Sequence, residues 1–599
     1  MTLAIEKSPR PTAKTPSRRM RLGRALRGLF STSLATSALR MRLVAVLFLG
    51  LYGLVCGRLV YLGLKPEPAN LRRAAADAVA AARPDLLDRN GDILATDVKT
   101  MSVFAEPRRL SDKDEATELL TATLPVDAKQ LRERLGSRKG FVWVKREVTP
   151  HQRDEVFHLG LAGVGLLAEN KRIYPNGALA AHVLGFADTD NIGVAGIEKY
   201  VDGQGLANLH GAGFELTAET LQPITLSLDL KATHAVRDEL AKGIEHYKAK
   251  AGAAAIMDVN TGEVVALASL PDYDPNGSPN IRDKELINRL NVGIYEMGST
   301  FKALTIAMAL DSGKVNLNSR LDARSELNLG RATIHDYHAT HAMLTVPEVF
   351  VHSSNIGTAR MALGQGVEKH KAFLYKLGQL TRMRTELPES AEPMWPRKRW
   401  SELSTATIAF GHGIAVAPMQ AMMGVAALVN GGYLMSPTFL KRSEEEARKN
   451  ATQVIKPETS EAMRCLMRLN AEIGTARKVN VPGFFVGGKT GTAEKAIHGH
   501  YVKNRLFTTF MAVMPADRPK YLFLTLMDEP QGLPETHGEA TAAWNSGQVT
   551  GEIIKRVAPI LGIAPRPDPT QPFPLLAKQG YSCSITPAVS SASAAGAAH

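Results

Sequence analysis

Three short stretches hold side chains whose types and spacing suit acyl transfer. In Ser299-Thr300-Phe301-Lys302 a hydroxyl and an amine stand one helical turn apart, after the turn-forming Gly298 and at the head of an apolar run. A helix starting at Ser299 puts both groups on one face and aims free backbone N–H groups at whatever the serine oxygen attacks. That oxygen is inert until a base takes its proton, and a lysine is such a base only when burial or a second cation lowers its pKa. Alone, the pattern reads better as a helix cap with a solvated lysine.

Ser353-Ser354-Asn355 falls between a helical pattern ending near Val351 and one beginning near Ile356. There a hydroxyl and an amide can relay a proton and hold a substrate amide, although both residues are also favoured caps. Lys489-Thr490-Gly491-Thr492 follows the apolar Phe484-Phe485-Val486 and the pair Gly487-Gly488. Glycines admit a second backbone, Lys489 offers charge to a carboxylate, and Thr490 and Thr492 offer hydrogen bonds. Alone it reads as a surface hairpin lysine. The three together, in this order and each on a fitting element, form a joint condition that chance rarely meets.

The elements needed to bring them together are visible in outline. Ala254 to Val259 and Glu263 to Ala268, joined by Asn260-Thr261-Gly262, predict a hairpin of buried strands. Helical patterns dominate from about 298 to 475, including Phe301 to Leu310 and Met419 to Val429. Strand patterns return at Phe484 to Val486, Phe507 to Val513 and Tyr521 to Met527. Strands at both ends with helices between predict an α+β domain, an antiparallel sheet flanked by helices plus a helical lobe. Upstream, Leu86 to Ala95 with its Asn90-Gly91 turn predicts a hairpin, and no nucleophile-and-base pair occurs in that segment.

A chain of 599 residues, 44% apolar and 22% charged, is too long for one core. Its net charge of +13 is concentrated: ten basic residues from Lys7 to Arg42 face the single acid Glu6. Leu43 to Leu64 follows, apolar except for Arg58 and long enough for a bilayer at ~20 residues. The pair predicts a cytoplasmic tail and an uncleaved anchor, and argues against nucleic acid. A cleaved signal or a twin-arginine signal at Ser17-Arg18-Arg19 fits less well, given the long basic region and its distance from the run. Cys465 and Cys583 then face an oxidising compartment; they read as two free thiols, with one bridge possible, and no ligand spacing suggests a metal or other cofactor.

The three motifs resemble those of the penicillin-recognising serine enzymes. Asp88-Arg89-Asn90-Gly91, Gly196-Ile197-Glu198, Gly298 to Lys302, Gly411-His412-Gly413-Ile414-Ala415-Val416 and Gly488 to Ala493 extend the resemblance to class B penicillin-binding proteins, from the anchor to about residue 562. Met297 stands where many relatives carry proline and His412 where many carry tyrosine; His412 is given no chemical role. The resemblance implies a penicillin-binding transpeptidase domain over 226–562, on a pedestal (dimerisation-type) domain over 85–225, with a basic tail over 1–42, one transmembrane helix over 43–64, a stalk over 65–84 and a flexible tail over 563–599.

It further implies a peptidoglycan D,D-transpeptidase that needs no cofactor. Ser299 would be the nucleophile, Lys302 its base, Ser353 the proton relay and Asn355 the orienter of the peptide. Lys489, Thr490, Gly491 and Thr492 would bind substrate. Implied partners are peptidoglycan stem peptides (a D-Ala-D-Ala donor and a diamino-acid acceptor), β-lactams, the inner membrane, and, for the cell-division (FtsI) type, the FtsW glycosyltransferase and other divisome proteins. The catalytic domain would lie outside the cytoplasmic membrane on a single-pass anchor. The division type rests on the long basic tail and a compact pedestal; the alternatives are an elongation-type transpeptidase, a membrane-bound β-lactam sensor or a catalytically dead divisome scaffold. A sensor would bring a cytoplasmic effector such as a His-Glu-x-x-His protease, a β-lactamase a deacylating Glu-x-x-Leu-Asn, and a bifunctional enzyme a glycosyltransferase domain; none is found.

Overall fold

The computed structural model describes residues 34–64, 82–206 and 221–584, except 278, 281–282, 331 and 498–499. The chain divides into two units, residues 1–75 and 76–599. In the first, helix α1 (Leu34–Leu64) is continuous, with side chains described from 44 to 60. Among the described residues no helix is long and apolar enough to cross a membrane. The transmembrane helix expected at 43–64 falls within α1, whose side chains are described from 44 to 60 alone. The side chains of the basic tail over 1–42 lie outside the described residues, as do most of the stalk and residues 585–599.

In the second unit, β1 (Leu86–Leu87) and β2 (Ile93–Ala105) flank the Asn90-Gly91 turn and pair antiparallel. The buried Asp88 closes that turn by accepting from the backbone of Asn90 and Asp92. β2 also pairs with β3 (Val142–Val148) and β4 (Val164–Ile173), and β5 (Ile224–Thr225) runs parallel to β1. Beneath this sheet Glu198 is fully buried between Arg83 and Arg172, at 2.7 Å from each guanidinium. Arg83, expected in the stalk, therefore belongs to the folded body.

Helix α2 (Leu230–His246) leads into β6 (Ala251–Asp258) and β7 (Val264–Leu270), the expected hairpin. The helical lobe includes α3 (Lys302–Asp311), α4 (Val346–Val351), α5 (Asn355–Gln365), α6 (Pro418–Val429) and α7 (Pro457–Ile473). β8 (Gly487–Ile497), β9 (His500–Met514) and β10 (Tyr521–Asp528) then complete an antiparallel sheet in the order β8-β9-β10-β6-β7. Side chains alternate between its faces, as strand geometry requires: Phe510 and Ala512 pack with α2 and with α8 (Ser546–Val557), Met511 and Val513 with the helical lobe.

Two further expectations change. The strand predicted at Phe484 to Val486 begins instead at Gly487, because Phe485 sits at φ +49°, a left-handed backbone that cannot extend a strand. Residues 563–584, predicted as flexible, carry α9 (Pro574–Lys578), bury Phe573 and Leu576, and join Cys583 to Cys465 in a disulfide with Cα atoms 5.8 Å apart. The sequence separation of 118 hid a pairing that exists only once this segment folds back onto α7.

Candidate active site

Ser299 lies in a 3-10 turn, Gly298–Phe301, that runs directly into α3, and the backbone N–H of Lys302 bonds back to the Ser299 carbonyl. The turn is wedged between two backbones. Gly298 has φ +55°, and a Cβ there would stand 2.8 Å from the Thr492 carbonyl oxygen. Gly411 has φ +86°, and a Cβ there would meet the Gly298 carbonyl oxygen at 2.2 Å. Glycine at both places is what lets β8 and the Gly411–Gly413 turn grip the serine. Gly491 acts the same way, its missing Cβ making room for the Thr509 hydroxyl at 2.4 Å and the Met297 carbonyl at 2.6 Å.

Lys302 Nζ donates to Ser353 Oγ at 3.0 Å and to the Ser353 carbonyl, and Lys489 Nζ donates to the same Oγ at 2.9 Å. One hydroxyl thus bridges two lysines, one from α3 and one from β8. Ser353 reaches them because its backbone turns left-handed, φ +56°, between α4 and α5; such a residue costs about 1–3 kcal/mol and persists only where its surroundings hold it. Both lysines are 1% exposed. Burial first, then the neighbouring Lys489 charge, push Lys302 well below the ordinary lysine range, with Asp336 opposing. Burial brings Lys489 down to about 7. Ser299 itself is half-buried.

Asn355 opens α5, but its amide donates outward to the His335 carbonyl at 2.8 Å. Thr490 Oγ1 donates to Thr475 Oγ1 at 2.9 Å, and Thr492 Oγ1 accepts from the Ala542 backbone at 3.2 Å. Lys302, Ser353 and Lys489 are thus joined by hydrogen bonds, the turn that carries Ser299 packs against Gly491 and Thr492, and the side chains of Asn355 and Thr490 bond to His335 and Thr475. His412 is pushed down to about 4 by burial and by Lys302, and is neutral.

The sequence pattern of residues 252–555 matches the penicillin binding protein transpeptidase domain, and that of 78–206 the penicillin-binding protein dimerisation domain. The chain is 39% identical over 500 residues to a probable peptidoglycan D,D-transpeptidase FtsI of Caulobacter vibrioides, covering 82% of this chain and 83% of that one. The chain belongs to the penicillin-binding protein transpeptidases. A probable peptidoglycan D,D-transpeptidase PenA of Neisseria meningitidis is 34% identical over 553 residues, 87% of this chain and 92% of its own. A peptidoglycan synthetase structure from Bifidobacterium adolescentis shares the fold, with a TM-score of 0.63 at 23% identity, covering 82% of this chain and 98% of that chain.

Several residues of this penicillin-binding transpeptidase carry no motif of their own. Asp336 accepts from Ser354 Oγ at 2.7 Å and from the Ile356 backbone at 3.0 Å, fixing the start of α5. Asn470 on α7 donates to the Gly488 carbonyl at 2.8 Å and receives the Thr475 hydroxyl at 3.1 Å. A chain from Asn470 through Thr475 to Thr490 thus sets the height of β8. A lone Asp or Asn gives no sequence signal for this; only the packed elements reveal the partner.

Proposed function

We propose that this chain is a peptidoglycan D,D-transpeptidase of the division type, anchored in the cytoplasmic membrane by α1 with its catalytic part outside. The observation that carries the chemistry is Ser353 Oγ held between the amines of Lys302 and Lys489, with the half-buried Ser299 one turn ahead of Lys302. Burial first, and then the Lys489 charge across the shared oxygen, disfavour the ammonium form of Lys302 and suit it to take a proton as a base.

Ser299 Oγ then adds to the carbonyl carbon of the donor's penultimate D-alanine while its proton passes to Lys302 Nζ. The backbone N–H groups of Ser299 and Thr492 meet the developing oxyanion, a contribution of about 3 kcal/mol per donor. Collapse breaks the C–N bond, and the proton travels from Lys302 through Ser353 Oγ to the departing D-alanine nitrogen. The acceptor's side-chain amine attacks the ester, its proton returns through Lys302, and Ser299 is regenerated. Lys489 and Thr490 hold the donor's terminal carboxylate, Asn355 steadies its amide, and a β-lactam follows the same path as far as the acyl-enzyme.

The membrane reading rests on the dense basic residues before α1 and on large apolar side chains such as Leu47, Leu49 and Leu54, which are exposed. FtsW is the partner that this anchor would meet in the bilayer. Incubation of the full chain with a pentapeptide donor and a diamino acceptor tests the reaction: one D-alanine released per cross-link supports it, whereas release without cross-links makes the protein a hydrolase. Depletion in cells tests the subtype, filaments supporting division and round cells elongation.

A further inference from the structure

The segment 563–584 lies beyond the residues matched by either family domain, yet it grips the approach to Lys489. The Arg566 backbone donates to the Gly483 carbonyl at 2.8 Å, and the Leu576 backbone to the buried Glu461 on α7 at 2.8 Å. Phe573 and Leu576 enter the core that also holds Phe485 and Leu466. The Cys583–Cys465 bridge closes the loop onto α7.

Arg468 on α7 joins this strap to β8. Its guanidinium reaches Asp568 in the strap at 3.1 Å and the Val486 carbonyl at 3.1 Å, and it lies 4.4 Å over the ring of Phe485. Two residues further along α7, Asn470 holds the Gly488 carbonyl, and the next residue is Lys489. The left-handed Phe485 backbone, whose carbonyl accepts from the Ala516 backbone at 2.9 Å, is held by these contacts at the angle from which β8 enters the site.

We propose that the C-terminal strap, clasped by the Cys465–Cys583 bridge and coupled through Arg468, is a positioning device for Lys489. It rests on the transpeptidase reading of the site, in which Lys489 receives the donor's carboxylate. Opening the clasp lets the residues before Lys489 relax, and a carboxylate clamp displaced by a fraction of an ångström binds its ligand less well. A dithiol opens it by exchange at the half-buried Cys583, leaving two thiols on the protein and a disulfide on the reductant.

The test uses the full chain and a fluorescent penicillin, comparing oxidised protein, protein reduced after folding, Cys583→Ser, Arg468→Met and Arg468→Lys. Free thiols are counted alongside, Cys56 alone before reduction and all three cysteines after it. Reduced, Cys583→Ser and Arg468→Met proteins are expected to reach the same final labelling with an acylation constant about tenfold lower. The loss falls on penicillin saturation rather than on the limiting rate, and Arg468→Lys recovers part of it. An acylation constant within about twofold of the oxidised protein, with all thiols counted, overturns the proposal. A loss confined to the extent of labelling also overturns it, since that reports unfolding. Absence of label on oxidised wild type sinks the transpeptidase reading and the strap's role with it.

Discussion

Two lysines sharing one serine oxygen dictate a pH dependence. Facing Lys489 are Lys302, the Ser353 hydroxyl, the Thr490 carbonyl and the Phe350 ring, and burial sets its proton loss at about 7. In the free enzyme the acylation constant at low penicillin is therefore expected to fall as pH rises through about 7. At saturation the ligand carboxylate keeps Lys489 charged, so that limb moves upward. Stopped-flow acylation across pH checks this, and coincident limbs at low and saturating penicillin would contradict it. Linkage gives a second sign: the folded pKa lies below the unfolded one, so between about 7 and the ordinary lysine value the unfolded chain holds the extra proton. This site's contribution to stability thus rises with pH across that window. The serines, lysines and threonines were legible because their signal lies within four residues of chain. Asp336, Asn470 and Thr475 were not, because each acts through a partner from another element.

At the scale of elements, the nucleophile turn is placed by backbone contact. Gly298, Gly411 and Gly491 each lack a Cβ where another chain segment passes within 3 Å. Gly411→Ala forces alanine into φ +86° and into the Gly298 carbonyl. Strain of about 1–3 kcal/mol is expected even before the clash is relieved. Thermal unfolding should show a lower midpoint, and penicillin labelling of the folded fraction should slow as the Ser299 turn is displaced; an unchanged acylation rate would show that the turn is held from elsewhere. The sheet hairpin, α3 and α6 followed from periodicity, since buried strands and apolar helices announce themselves locally. The start of β8 did not, because the partners of the bend at Phe485, Arg468 over its ring and the Ala516 backbone on its carbonyl, come from other elements. The folding back of 563–584 was hidden for the same reason: its Pro- and Ser-rich composition gave no weight to Phe573 and Leu576.

Across residues 76–599, the pedestal and transpeptidase parts share one apolar cluster that runs from Leu86, Leu94 and Ile197 to Met257 and Val264. The Gly196 backbone adds a bond to the Glu389 carboxylate at 3.3 Å. Calorimetry of this body is expected to show a single cooperative transition; two resolved transitions would contradict a shared core. Glu198 is the key residue of the pedestal side. Burial alone would raise its pKa, but Arg172 and Arg83 outweigh it and hold the carboxyl below its usual range. That contribution is present above the unfolded carboxylate pKa, ~4.3, and is lost as pH falls through the lower folded value. Glu198→Gln leaves two buried guanidinium groups short of charge, and a loss of about 3–5 kcal/mol is expected in denaturant unfolding at neutral pH. The Gly196-Ile197-Glu198 motif was visible in the sequence, whereas its two arginines, 115 and 26 residues away, were identified only by the fold.

The most direct test of the central claim is peptide mapping by mass spectrometry after incubation with a penicillin. One intact penicillin mass per chain, on the peptide containing Ser299 and absent from Ser299→Ala, is the predicted result. An adduct on any other residue, or equal modification of Ser299→Ala, would contradict it.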